Sequence, residues 1–283
     1  MIEAPFNPAK LKLLREWMRS SKRVLVAYSG GVDSSLVLRV ATEELEQEAL
    51  GILAVSPSLP DSERQQAVEL AQVMGARLKL VPTHETDDVR YQANGTNRCF
   101  HCKDHVYQTL RRYADDHAFD RVVDGMNAED TLDMRPGRAA AKLHGIESPL
   151  HELGFTKDDV RAAARHLGLS NWSKPAAACL ASRIPYGTTV TPELLSQVER
   201  AEAALHALGF TELRVRHHGD TARIEVPETC FDDLMVRRAE VIAALKTNGY
   251  TYVAMDLQGL RSGSMNEVLA GRQQPGVVLA QPV

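Results

Sequence analysis

Along the first half of the chain, short apolar runs alternate with longer stretches in which apolar residues recur roughly every three to four positions. Arg23–Ser29 (RVLVAYS) predicts a buried strand, Ala49–Val55 (ALGILAV) a second and Arg77–Pro82 a third. Arg121–Asp124 (RVVD) predicts a fourth, ending at Gly125. Between them Ser34–Gln47, Asp61–Met74 and His101–His117 predict helices, the second capped by Asp61 and closed by Gly75. Ahead of the first strand, Leu11, Leu13, Leu14 and Trp17 mark an amphipathic helix. Strands alternating with helices predict an α/β fold, a parallel sheet covered by helices on both faces. Ligands of such sheets bind beyond the carboxyl ends of the strands.

After about Tyr186-Gly187 the pattern changes, which divides the chain into domains of residues 1–186 and 187–283. Thr191–Leu208 predicts a long helix, with Thr191 as cap and Pro192 in its first turn. Leu213–His217 and Ala222–Val226 flank His218-Gly219-Asp220 and predict a hairpin. Asp232–Thr247 predicts another helix and Thr251–Leu257 a last strand. This order predicts a smaller C-terminal α+β domain with an antiparallel sheet. The tail after about Arg272 is rich in Gln, Pro and Gly and is expected to be loosely held.

Composition narrows the function. The 283 residues are 44% apolar and carry a formal net charge of -4, which argues against nucleic-acid binding through bulk positive charge. No run approaches the roughly 18 apolar residues of a membrane span, and the N-terminus lacks the apolar core of a secretory signal. A cytoplasmic protein with no membrane or nucleic-acid partner is expected. The cysteines are Cys99, Cys102, Cys179 and Cys230. In a reducing cytoplasm they stay thiols, so the Cys-x-x-Cys pair points to metal or redox chemistry.

The first strand runs directly into Ser29-Gly30-Gly31-Val32-Asp33-Ser34-Ser35, and a helix follows. Glycines let main-chain N–H groups approach an anion, the helix start adds free N–H groups and a favourable dipole, and three serine hydroxyls can donate further bonds. The Walker loop is excluded, since no Gly-Lys-Ser/Thr follows. A plain Gly-Gly turn with Asp33 capping the helix is the structural alternative.

The string SGGVDSS resembles the pyrophosphate-binding loop of the ATP pyrophosphatase superfamily. That resemblance implies an adenine nucleotide alpha hydrolase-like domain that cleaves ATP between its α- and β-phosphates. Ser29, Gly30, Gly31, Asp33 and Ser34 would hold the pyrophosphate, Mg²⁺ would lie near Asp33, adenine would lie over Ala54-Val55-Ser56, and Ser35 and Gly125 would belong to the same ATP site.

The loop does not choose a nucleophile; the cysteines bear on that. Cys99 and Cys102 stand at a helix start beside Arg98 and Lys103, where thiolate is favoured. Cys179 lies among small residues, with Arg183 available to bind an anion. It also fits a buried small hydrophobe, and Cys99 and Cys102 fit two unrelated helix-end thiols. Cys230 is assigned no role.

Taken in order, SGGVDSS, Asp124-Gly125-Met126-Asn127, Arg135-Pro136-Gly137, Lys174-Pro175, Cys179-Leu180-Ala181-Ser182-Arg183, Tyr186-Gly187-Thr188, Arg214-Val215-Arg216, Ala222-Arg223-Ile224-Glu225 and Arg261-Ser262-Gly263 are similar to the LarE family of ATP-dependent sulfur transferases. The resemblance implies adenylation of a ring carboxylate on a pyridinium dicarboxylate mononucleotide, then displacement of AMP by sulfur. In one branch Cys179 itself gives up its sulfur. In another, Cys99, Cys102 and Cys179 hold a [4Fe-4S] cluster fed by a sulfide source, and the cysteine pair favours this branch. Three thiols also suit zinc with His101 or His105. The resemblance further implies a homo-oligomer and a substrate site containing Arg183, Arg214, Arg216 and Arg261.

Other residues stay open between two readings. Arg214 and Arg216 alternate along a strand and suit a phosphate or a salt-bridged face. Glu202, Glu225 and Asp233 form an acidic metal cluster or are surface charges. Asp130, Asp133, Arg135 and Arg138 close over ATP or form a solvated connector. A tRNA-thiolating enzyme and a non-catalytic nucleotide- or metal-binding protein are the competing functions.

Overall fold

The computed structural model describes residues 6–131, 136–175, 178–261 and 263–271. The chain divides into two units, Met1–Ala178 and Cys179–Val283; the boundary expected from sequence, after residue 186, lies eight residues later. Asp133, Arg135, Ala176, Ala177, Ser262 and the tail after Arg272 lie outside the described residues.

The first unit runs α1 (Pro8–Arg19), β1 (Val24–Tyr28), α2 (Val32–Leu45), β2 (Ala49–Val55), α3 (Asp61–Val73), β3 (Leu78–Pro82), α4 (Val89–Gln92), α5 (Arg98–Asp116), β4 (Arg121–Val123), α6 (Pro136–Leu143), α7 (Pro149–Glu152) and α8 (Lys157–His166). Its four strands are parallel, in the order β3-β2-β1-β4. Side-chain alternation divides the strands between two cores. Val24, Val26, Tyr28 and Leu53 face one cluster with α1, α2, α3 and α8, while Leu25, Leu50 and Ile52 face the other with α5 and α6. Helices thus cover both faces, as the alternating pattern predicts. On α1 the core side is Leu11, Leu14 and Met18, whereas Leu13 is exposed. Burying Leu14 and Met18 contributes about 2 kcal/mol each. Asp61 opens α3 as its first helical residue, with Pro60 at the cap position and no side-chain cap bond.

The chain moves outward from β1 to β3 and returns to β4 on β1's other side. The crevice beyond the carboxyl ends of β1 and β4 is therefore the switch point where ligands of open α/β sheets bind.

The second unit runs α9 (Pro192–Ala207), β5 (Arg214–His218), β6 (Thr221–Glu225), α10 (Phe231–Val236), α11 (Arg238–Thr247), β7 (Tyr252–Met255) and α12 (Glu267–Gly271). Thr191 caps α9 by accepting from the Leu194 N–H. β5 and β6 form the expected antiparallel hairpin. Two expectations fail here. β7 pairs parallel to β6, making the sheet mixed, because the helical connection carries the chain back to the end where β6 began. The single helix expected over Asp232–Thr247 is two, broken at Arg237. No helix among the described residues is long and apolar enough to cross a membrane.

Candidate functional site

The loop Ser29–Ser35 leaves the carboxyl end of β1 and enters α2. Gly30 has φ +76°, and a Cβ there would sit 2.7 Å from the Ala67 Cβ, so both conformation and space demand glycine. Gly31 is extended and occupies the cap position of α2. The second glycine is thus not needed for its backbone angles, and Asp33 is not the cap. Ser34 Oγ accepts from the Ser29 N–H and donates to the Gly31 carbonyl, which fixes the loop internally. The first-turn amides of α2 have no intrahelical acceptor and are available to an anion. Gly125, at the end of β4, packs directly on that turn: a Cβ there would lie 2.5 Å from the Ser34 nitrogen.

A cavity of about 470 Å³ opens over the loop. Ser29, Gly31, Asp33 and Ser34 form its floor, Ala54 and Leu59 one side, and Lys103 and Tyr107 of α5 another. Asp124, Gly125, Met126 and Asp130 also line it. Gly30, Ser35 and Ser56 are not among the lining residues. Ser35 is buried and receives a bond from Asn171, while Ser56 pairs with Ser58.

Two side chains that sequence reasoning did not assign hold Asp33: Lys157 forms an ion pair with Oδ2 and Asn127 donates to Oδ1. Asn127 belongs to the Asp-Gly-Met-Asn string, but Lys157 carries no motif signal. Asp124 accepts from the Tyr107 hydroxyl at 2.7 Å, the Ser148 hydroxyl at 2.8 Å and the Met126 N–H. Burial first, then the Asp124 carboxylate, pushes the Tyr107 phenol well above its ordinary value. Tyr107 is therefore a fixed donor rather than a base.

Helix α5 carries both cavity wall and thiols. Lys103, Val106, Tyr107 and Leu110 line the cavity, and Cys99 lies one turn before Lys103 on the same helical face. Cys99 is exposed and Cys102 half-buried, and neither is in a disulfide. Asp88 ties the approach to this helix: it caps α4 and receives His105 Nε2 at 2.8 Å and the Arg90 guanidinium. The Arg90 hydrogen bonds, with His105, hold the Asp88 carboxyl far below its ordinary value against the opposing effect of burial. His101 is buried, with no partner for Nδ1. Among the described residues, no three His, Cys, Asp or Glu side chains are grouped to hold a metal ion.

In the second unit, the Cys179 carbonyl accepts from the Ser182 hydroxyl at 2.7 Å and from Arg183 at 3.2 Å, while its thiol is free. Arg183 forks onto Glu202 at 3.0 and 3.2 Å, and Glu202 also accepts from the Val215 N–H. Arg216 is buried against Glu225, Ser264 and the Ser182 carbonyl. Arg261 is engaged by Glu267 and Asp256.

Several expectations are corrected here. Glu202, Glu225 and Asp233 form neither a metal cluster nor a set of surface charges. The two glutamates neutralise arginines inside the unit, and only Asp233 is exposed. Arg183 and Arg216 are committed to internal pairs. Arg214 differs: it is half-buried, it bonds the Arg261 carbonyl, and it has no carboxylate partner among the described residues. Burial first, then Arg216 and Arg183, lowers its pKa. Asp130 lines the cavity and Arg138 is exposed. Cys230 packs against the second unit's core.

Residues 11–115 match the NAD synthase family. The chain is 43% identical over 263 residues to an uncharacterised protein of Synechocystis sp., covering 92% of this chain and 98% of that one. It is 39% identical over 257 residues to the pyridinium-3,5-bisthiocarboxylic acid mononucleotide synthase of Lactiplantibacillus plantarum, covering 90% and 93%. An uncharacterised protein of Methanocaldococcus jannaschii is 28% identical over 242 residues, covering 86% and 92%. On a pyrophosphate-type loop at the switch point of a parallel sheet, and with identity that runs nearly end to end, the chain belongs to the LarE family, that of the pyridinium-3,5-bisthiocarboxylic acid mononucleotide synthase.

Proposed function

We propose that this protein is an ATP-dependent sulfur transferase of nickel-pincer nucleotide biosynthesis. It adenylates a ring carboxylate of a pyridinium dicarboxylate mononucleotide and converts it to a thiocarboxylate. The observation that carries this reading is that α5 both walls the nucleotide cavity and begins with the cysteine pair. The substrate carboxylate attacks the α-phosphorus and pyrophosphate leaves into the loop amides. Sulfur then displaces AMP at the acyl carbon. Mg²⁺ bound with ATP would neutralise phosphate charge, held mainly by phosphate oxygens and water, with Asp33 and Asp130 within the same cavity.

Cys99, Cys102 and Cys179 are the three thiols of a proposed [4Fe-4S] site. Two of them stand about one turn apart at the start of α5 and none of the three is in a disulfide, although the described residues hold them in no grouped metal-ligand set. Such a cluster, when bound, would present an iron without a protein thiolate to an external sulfide source. Arg214, the least committed guanidinium of the set, is assigned to the substrate phosphate. The reading includes a homo-oligomeric assembly in the cytoplasm.

Two measurements test it. Pyrophosphate and AMP should appear from ATP only when the pyridinium dicarboxylate mononucleotide is present, and Asp33→Asn should abolish both; no substrate-dependent release overturns the adenylation. Anaerobically purified protein should contain about four irons per chain, with matching labile sulfide, lost in Cys99→Ala. Iron-free protein would replace the cluster with a sacrificial Cys179, and zinc would replace it with a structural thiol site.

A further inference from the structure

The charges lining the nucleotide cavity are unevenly partnered. Asp33 is neutralised by Lys157, and Asp124 is satisfied by two hydroxyls and an N–H. Lys103 is the one cationic side chain among the described residues that line the cavity, and it has no carboxylate partner among the described residues. Its side chain is nonetheless placed. Nζ lies 5.7 Å from the centre of the Tyr107 ring. A Cβ on Gly137 would fall 2.5 Å from its Cδ and 2.8 Å from Nζ, so glycine at that position of α6 leaves the slot the lysine occupies.

The loop amides supply the pyrophosphate's donors, and Ala54 with Leu59 offers an apolar wall for adenine. Neither supplies a positive charge for the phosphate that joins them. On the reading that this cavity takes ATP, we infer that Lys103 is the α-phosphate ligand: its ammonium donates to a non-bridging oxygen of the α-phosphate in ATP, in the acyl adenylate and in AMP. It thereby fixes the phosphorus that the carboxylate attacks. Because Cys99 stands one turn away on the same face, the phosphate to be displaced is held at the thiol end of the cavity.

The test compares equilibrium binding of Mg-ATP, AMP and adenosine to wild type, Lys103→Met, Lys103→Arg and Gly137→Val. Lys103→Met should weaken AMP by about ten- to hundredfold, the worth of a hydrogen bond to a charged group, and leave adenosine unchanged. Lys103→Arg should restore most of the AMP affinity. Gly137→Val, which evicts the side chain from its slot without touching its charge, should reproduce the AMP-selective loss. Equal losses for AMP and adenosine, or no loss for AMP, overturn the assignment. Failure of wild type to bind Mg-ATP overturns the ATP reading, and the assignment with it.

Discussion

Glu202 shows how a side chain's position in the chain and its job diverge. Its sequence neighbourhood reads as a metal ligand or a solvated helix face, but its carboxylate is buried against Arg183 and the Val215 N–H. Arg183 in turn holds the Cys179 carbonyl. The anion site read into Arg183 is thus the brace of the cysteine turn. Removing one charge of a buried pair strands the other in a low-dielectric site, at a cost of about 3 kcal/mol. Glu202→Gln should therefore lower unfolding stability by roughly that amount and raise the alkylation rate of Cys179 by loosening its turn. Unchanged denaturation midpoints and unchanged labelling would remove Arg183–Glu202 as the brace. Residue types signalled where charge lies, but not what pairs with it, since pairing is set by contacts distant in sequence. The same holds for Lys157 on Asp33, which lie 124 residues apart.

At the scale of elements, local signals were legible where they were punctuated. β2 lies at its predicted bounds, and β1 and α2 lie within about two residues of theirs, because Gly-Gly and the strong apolar runs mark their ends. Helix α5 starts three residues before the expected His101, so the cysteines stand inside its first turns. Where punctuation is missing the reading slipped: nothing in Val236-Arg237-Arg238 marks the break between α10 and α11. The parallel pairing of β7 follows from the helical crossover, which an expectation of hairpins overlooked. This sheet carries a pH signature. Burial pushes the His217 imidazole on β5 below its ordinary value, with the Asp220 carboxylate opposing. The folded chain then binds fewer protons than the unfolded one near pH 6.5, about the ordinary histidine value. The stability contributed by the neutral ring is present above that pH and is lost as pH falls through the depressed folded value. Denaturation midpoints should fall on acidification from pH 7.5 to about 5, and His217→Gln should flatten that dependence. An equal slope in the variant would exclude His217 as its source.

The whole molecule joins a doubly covered parallel sheet, read correctly from alternation alone, to a smaller mixed α+β unit. The sheet matters for function because its strand order places the loop and the ends of β1 and β4 at one crevice. The cavity's floor was legible because a contiguous string supplies Ser29, Gly31, Asp33 and Ser34. Its wall was less so, because Lys103, Tyr107 and Asp124 converge only through the packing of α5 on the sheet. The central claim is that a carboxylate oxygen is replaced by sulfur at the expense of ATP. Its most direct test is an anaerobic single-turnover reaction with Mg-ATP, the pyridinium dicarboxylate mononucleotide and sulfide, read by mass spectrometry of the nucleotide products. The account predicts AMP together with a substrate whose mass rises by the exchange of one oxygen for one sulfur, and neither product in Asp33→Asn. ADP and phosphate in place of AMP, or a nucleotide of unchanged mass, would contradict it.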